Sequence, residues 1–246
     1  MKIGQKLILS EEHLLSFAVS DGKSFHNFTK GFKRPYDEVF HEAMNNTMKY
    51  LCANIQGCKF GYTQSDEITL LLTDYDTLTT DAWFGYSVQK MCSIAASMAT
   101  LTFNKYFRDA INKKFTGTIE DFDHFKALSI ARDKGAMFDA RCFNIPVSEI
   151  SNCFLWRFLD CYRNSVQMLG QTYFSHNELH KLNSSQIQEK LFQERGINYA
   201  TYPEEFKNGV CAMKNSEGIW ELKPMFDPRK NVDFFDTYLN HTRGTK

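Results

Sequence analysis

Phe60-Gly61-Tyr62-Thr63-Gln64-Ser65-Asp66-Glu67-Ile68-Thr69-Leu70-Leu71-Leu72 is the stretch on which the fold turns. Two β-prone runs flank a short polar turn, which predicts a β-hairpin over 58–73 with two adjacent carboxylates at its tip. The second run, from Ile68 to Thr73, reads as a strand buried on both faces. Toward the N-terminus, Leu14-Leu-Ser-Phe-Ala-Val-Ser20 is another apolar run, and it stops at Asp21-Gly22. Two strands therefore end in acids. Side by side they would bring Asp21 and Asp66 to one spot, where like charges 4 Å apart repel by about 4 kcal/mol at an effective dielectric near 20. A divalent cation would relieve that repulsion. The plainer alternative is that Asp-Gly is an ordinary turn dipeptide and Ser-Asp-Glu an ordinary solvated tip, and spacing alone leaves both open.

The remaining elements say how the two strands meet. Pro35 and Asp37 announce a helix over 38–55, with Val39, Phe40, Ala43, Met44, Met48, Leu51, Cys52 and Ile55 on one face. A second helix is expected over 82–107, and its small residues Ser93, Ala95, Ala96, Ser97 and Ala99 would let it approach a sheet closely. Residues 108–135 read as charged and irregular, and 137–144 as a fourth strand ending before Ile145-Pro146. Strand, helix, two strands, helix, strand is the split β-α-β, ferredoxin-like βαββαβ order of an α+β fold. In that topology the first and third strands are adjacent and antiparallel, so Asp21 falls beside Asp66. Beyond Pro146 the chain turns helical, with helices expected over 148–174 and 184–195. The tail, with Trp220, Pro224 and Pro228, reads as a strand or two and a surface segment, loose after 240. The expected division is a sheet domain over 1–146 with helices on one face, and a helical C-terminal region over 147–246 packed on it.

At 246 residues, 43% apolar and 15% aromatic, the chain can bury a full core. Its 29 basic and 29 acidic residues cancel, which argues against a protein that coats nucleic acid nonspecifically. A polyanion would have to be held by local patches or by the combined surface of an oligomer. Seven cysteines without a CxxC pair fit reduced thiols in a cytoplasm and argue against structural zinc. No stretch approaches 18 apolar residues, so neither secretion nor membrane insertion is expected.

Paired carboxylates on neighbouring strand ends suit magnesium, held through few protein ligands and completed by substrate phosphates. Gly22 would let the main chain approach the ion or the phosphates with no Cβ in the way. Lys33, Arg34, Lys90 and Ser93 could hold a triphosphate. Each has a plain reading as well: a basic loop for Lys33-Arg34, the solvated edge of a helix for Lys90 and Ser93. By default Arg157 and Arg163 are solvated, and Arg141 pairs with Asp139 or another acid.

The motifs are more specific in series than singly. Asp21-Gly22-x-x-Phe25-His26-x-Phe28, Arg34-Pro35-x-Asp37, Gln64-Ser65-Asp66-Glu67-Ile68, Lys90-x-x-Ser93, Phe138-Asp139-Ala140-Arg141, Trp156-Arg157 with Asp160, Gly196-Ile197 and Lys207-x-Gly209 resemble, in order, the tRNA(His) guanylyltransferase family. The resemblance implies a polymerase palm-like catalytic domain with two magnesium ions, a nucleotidyltransferase that adds GTP- or ATP-derived nucleotides to the 5′ end of tRNA in the 3′-to-5′ direction, and a homotetramer. It implies that Asp21, Asp66 and the Gly22 carbonyl are metal ligands and that Glu67 supports Asp21 and Asp66 in catalysis. It also implies nucleotide contacts from Asp21, Gly22, Lys23, Ser24, Phe25, His26, Arg34, Ser65, Asp66, Lys90 and Ser93. Val19 stands where the family commonly has Arg, and Lys23 replaces another Arg. Tyr162-Arg163-Asn164-Ser165 stands where eukaryotic members carry His-Ile-Asn-Asn. That pattern is similar to the bacterial and viral guanylyltransferase-like branch, which implies templated repair of 5′-truncated tRNA. The competing readings are a palm-fold nucleotide cyclase and a noncatalytic RNA-binding protein with a decayed palm.

Overall fold

β1 (Leu14–Asp21) is followed by one helical turn, α1 (Phe25–Phe28), and then by α2 (Glu38–Asn54). The computed structural model describes residues 14–21, 25–74, 80–116 and 121–242; the polar lead-in of 1–13 and the site candidates Gly22, Lys23 and Ser24 lie outside them. α2 starts where Asp37 caps it, Oδ1 accepting from Val39 N at 3.1 Å and Phe40 N at 3.2 Å. It ends ahead of Gly57, whose φ of +78° suits glycine and where a Cβ would stand 2.3 Å from the Thr73 carbonyl oxygen. The hairpin follows as β2 (Cys58–Gln64) and β3 (Glu67–Leu72). β3 is buried from Ile68 to Leu72, on both faces as its unbroken apolar run predicts.

α3 (Val88–Lys114) is longer and later than the expected 82–107 helix. Its start is delayed because Trp83–Tyr86 is a 3-10 turn in which Phe84 and Gly85 take positive φ. Its end is extended because Phe107, Ala110 and Ile111 continue the buried stripe past Phe107. The described part of 108–135 is therefore mostly helical: α3 runs to Lys114, and α4 (Phe122–Lys134), capped by Asp121 and buried through His124, Leu128 and Ala131, follows. β4 (Phe138–Ile145) closes the first half.

The C-terminal half supplies α5 (Ile150–Tyr173), α6 (His176–Leu179), α7 (Ser184–Arg195), α8 (Glu204–Asn208), β5 (Val210–Lys214), β6 (Trp220–Pro224) and α9 (Phe234–Thr242). It is thus not helical alone, and the tail is not a surface segment up to 240: Phe235 and Leu239, four apart on α9, are buried. All six strands form one sheet in the order β4-β1-β3-β2-β5-β6, and every pairing is antiparallel. The first four are in the ferredoxin-like order, with β1 and β3 adjacent.

α2 and α3 cover one face of the sheet, with Ala43, Met48, Leu51, Ala95, Ala99 and Phe103 fully buried. Each large apolar side chain removed from water there contributes about 1.5–3 kcal/mol. α5 and α9 cover the other face through Phe154, Phe158 and Phe235, which pack on Phe60, Tyr62 and Leu71. Gly61 admits the first layer closely, since a Cβ there would lie 2.4 Å from Cys52 Sγ on α2.

Candidate active site

The hairpin tip is two residues long, Ser65 and Asp66, and Ser65 takes a left-handed φ of +50°. Thr63 Oγ1 donates to the Glu67 carbonyl at 2.8 Å and closes the turn. Asp66 is therefore fixed at the head of β3. β1 and β3 pair with Leu15 opposite Leu72 and Val19 opposite Ile68, residue numbers summing to 87 throughout. Carried two residues further, the same register sets Asp21, the last residue of β1, across from Asp66. On its other side Asp21 is opposite Phe138.

A cavity of about 410 Å³ opens beside the tip. That volume is in the range of sites for small organic ligands. Gln64, Ser65 and Asp66 form one wall, α1 and the turn after it give Phe25, Phe32, Lys33 and Arg34, and α5 gives Asn164, Gln167 and Gln171. Arg34 precedes a cis Pro35 and is exposed at the mouth. Lys33 reaches Asp121 at 3.0 Å, an exposed ion pair. One buried carboxylate holds this corner together. Asp37 accepts from Val39 N, Phe40 N and Lys33 N and lies 2.7 Å from His124 Nε2 on α4. His41 also lines the cavity, stacked on Tyr36 at 3.9 Å between ring centroids. Burial holds its imidazole down to about 4, with Asp37 opposing, so it is neutral near pH 7. Burial raises the Tyr36 phenol, and Glu205, which accepts from it at 3.4 Å, adds to the shift. The cavity is thus lined by two basic side chains, Lys33 and Arg34, and three acidic ones, Asp37, Asp66 and Glu205.

Of the candidate residues, the structure brings Phe25, Arg34, Ser65 and Asp66 together on this cavity, and sets Asp21 level with Asp66. His26 follows Phe25 in α1. Glu67 is not on the cavity wall: its Oε2 accepts from Arg157 Nη1 on α5 at 3.1 Å and from Gln64 Nε2 at 3.1 Å. Arg157, expected to be solvated, is half-buried in that pair, whereas Arg163 is exposed beside Asp160 and Arg141 lies 3.5 Å from Asp139 as expected.

Lys90 and Ser93 are exposed on the first turns of α3 and also stand off the wall. Cys92 touches Cys142, which pairs with Phe17, while Thr100 binds the amide of Phe138, which pairs with Asp21. The first turns of α3 therefore lie about four residues, roughly 13 Å, along the strands from Asp21. The sequence reasoning missed Asp37 with His124 and the amides Asn164, Gln167 and Gln171. Asp37 carried a signal as a helix cap and in the motif Arg34-Pro35-x-Asp37, and Asn164 through the segment 162–165, but neither announced these contacts.

The chain matches the tRNAHis guanylyltransferase family over residues 11–146. It belongs to the tRNA(His) guanylyltransferase family. This family is one of nucleotidyltransferases, and Asp21, Asp66, Lys90 and Ser93 all fall in the matched span. Protein R259 of Acanthamoeba polyphaga mimivirus is 32% identical over 204 residues, 79% of this chain and 68% of its own. A bacterial tRNA(His) guanylyltransferase-like protein solved in complex with ATP superposes with a TM-score of 0.79 at 35% identity, covering 94% of this chain and 91% of its own. A bacterial guanylyltransferase-like protein solved with GTP gives 0.73 at 32% identity over the same shares. The guanylyltransferase fold thus extends over both halves of this chain, including the strands beyond residue 146. Among the described residues no helix is long and apolar enough to cross a membrane.

Proposed function

We propose that the chain adds nucleotides to the 5′ end of tRNA in the 3′-to-5′ direction, repairing 5′-truncated tRNA against a template base. The observation that carries this reading is the β1–β3 register, which sets Asp21 across from Asp66 beside a cavity of nucleotide size with a basic mouth. The ATP and GTP complexes of the bacterial relatives support a nucleoside triphosphate as the occupant.

Two carboxylates at adjoining strand ends are an all-oxygen donor set, which fits a hard divalent cation. Among the described residues no group of three or more His, Cys, Asp or Glu side chains could hold a metal, so substrate phosphates would have to complete the shell. Asp21, Asp66 and the Gly22 carbonyl would hold two magnesium ions, which when bound lower the pKa of an attacking hydroxyl and neutralise charge on the leaving phosphates. The chain's own part is positioning. Arg34 offers a planar fork to the phosphates at the mouth, and Lys33 adds a second cation once it leaves Asp121. Segment 21–26 and Ser65 would line the nucleotide. Phe25, Phe32 and Phe40 exclude water from the floor, while the amides of α5 meet polar edges of the nucleotide. The 3′-hydroxyl of the incoming nucleotide would attack the α-phosphorus of a 5′ end activated as its triphosphate; the new phosphodiester forms as the bond to pyrophosphate breaks, and the hydroxyl proton passes to solvent. Pairing with the opposite strand selects the base, so the protein reads shape and phosphates, as a chain of zero net charge can.

The test is extension of a set of 5′-truncated tRNAs with nucleoside triphosphates and magnesium, with and without a template base opposite the missing position. Template-dependent growth at the 5′ end is expected. A cyclic nucleotide product without growth would replace this reading with a cyclase, and tRNA binding with neither product would replace it with a noncatalytic RNA-binding protein.

A further inference from the structure

Two thiols meet where α3 lies over the edge of the sheet. Cys92, on the second turn of α3, has its Sγ 3.6 Å from that of Cys142 on β4, although the two are 50 residues apart in the chain. Cys142 packs on the α3 side of the core with Phe138 and Ala140, and β4 has a strand neighbour on one side alone among the described residues. Both thiols are half-buried. Cys52, Cys58, Cys161 and Cys211 are buried, and Cys153 packs on the opposite face of the sheet. Of the seven cysteines, Cys92 and Cys142 are therefore the pair that a reagent can reach from solvent. We propose that they are a site of reversible covalent modification, a dithiol that a low-molecular-weight disulfide of the glutathione class converts to a bridge between α3 and β4.

The geometry is close to that of the product. Bonded sulfurs stand about 2.05 Å apart, so each has about 0.8 Å to travel. The exchange balances. Cys92, its proton given to solvent, attacks one sulfur of the small disulfide; that S–S bond breaks, and one thiolate leaves and takes up a proton. Cys142 then loses its proton and attacks the Cys92 sulfur, and the second small thiolate leaves. Two protein thiols are oxidised, and one small disulfide is reduced to two thiols. Environment sets the order. Burial pushes the Cys142 thiol up to about 12, and Cys92 beside it adds to the shift, so Cys142 stays protonated in the reduced protein and Cys92 takes the first step. Once Cys92 carries the mixed disulfide, its share of that shift is gone, which favours the second step.

The bridge acts where α3 lacks a cap. Ser87, at the N-cap, makes no side-chain hydrogen bond to the first turn, and the preceding Trp83–Tyr86 turn takes positive φ at Phe84, Gly85 and Tyr86. A helix start without a cap frays. A covalent tie from Cys92 to β4 removes conformations from the opened state and so steadies this end. Lys90 and Ser93 ride on it, two residues before Cys92 and one after. An effect on nucleotide through them rests on the nucleotidyl-transfer reading; the bridge does not, and its test reads mass and exchange, not activity.

The full chain is reduced, freed of reductant, incubated with glutathione disulfide in excess, trapped with N-ethylmaleimide and digested. Mass spectrometry should find a peptide linked through 92 and 142, an intact mass lower by two hydrogens, and return of both thiols with dithiothreitol. In Cys142→Ser the reaction should stop with one glutathione on Cys92. Hydrogen exchange of the amides of 88–95 should slow at least about threefold when the wild type is bridged. The mapping and the exchange are read on the wild type, so a folding defect in the variant does not touch them. A wild type that keeps both thiols, or that collects glutathione without closing the bridge, would mark the contact as packing only and overturn the proposal. Unchanged exchange over 88–95 in the bridged protein would overturn the role assigned to the tie.

Discussion

Replacing Asp37 by Ala should unfold the protein earlier and loosen its grip on nucleotide, because this carboxylate serves four partners at once. Loss of the α2 cap costs about 1 kcal/mol. Loss of the 2.7 Å contact leaves His124 Nε2 buried without an acceptor on a ring whose Nδ1 finds no partner among the described residues, which costs about 1–3 kcal/mol more. The total is about 2–4 kcal/mol. For a chain of this size that lowers the melting temperature by roughly 5–15 °C. Asp37→Asn keeps an oxygen for the cap and should lose about half as much. In a double-mutant cycle with His124→Ala the coupling should lie within about 0.5–3 kcal/mol. Because the Lys33 amide is held by the same carboxylate, the Michaelis constant for nucleoside triphosphate should also rise severalfold with kcat little changed. Urea and thermal unfolding read the first effect and initial rates the second. A melting point for Asp37→Ala within 2 °C of the wild type, or zero coupling to His124, would refute the reasoning.

Three further outcomes are expected. Asp21→Ala and Asp66→Ala should each lower nucleotide addition by about 100- to 1000-fold, with tRNA affinity retained by filter binding, if the pair serves the transition state and not the tRNA. Folded His41 is held at about 4 against about 6.5 in an unfolded chain. Between those values only the unfolded state takes up the proton, so stability rises with pH across this window and is lost as pH falls through it, by up to about 3 kcal/mol. His41→Gln should flatten that part of the stability profile, measured by urea midpoints from pH 4 to 7. Gly61→Ala forces a methyl against Cys52 and Met48 and should cost about 1–3 kcal/mol in the same measurement.

The sequence made the acid-ended strands legible because the pattern that announces them is local: a buried run, a two-residue polar turn, a second run. The adjacency of Asp21 and Asp66 came from element order alone, and the observed register agrees with it. Residues 108–135 were misread because charge dominates them while burial is sparse: His124, Leu128 and Ala131 are enough to seat α4 on α3. Arg157 was misread because its partner, Glu67, is 90 residues away in the chain. The same holds for Asp37, which reads locally as a helix cap, while its contact with His124 spans 87 residues. No spacing rule reports a pair made by the packing of two distant helices.

The two C-terminal strands matter beyond their size. With β5 laid along β2, the acid-tipped hairpin stands in the interior of a six-membered sheet. A fragment stopped at Pro146 would strip the main chain of Gly61, Tyr62 and Thr63 of its neighbour and bare the rings of Phe60 and Tyr62, which α5 and α9 otherwise shelter. Such a piece would carry both aspartates with that strand edge and those rings uncovered, so the stretch that bears the family's signature is expected to aggregate when made alone.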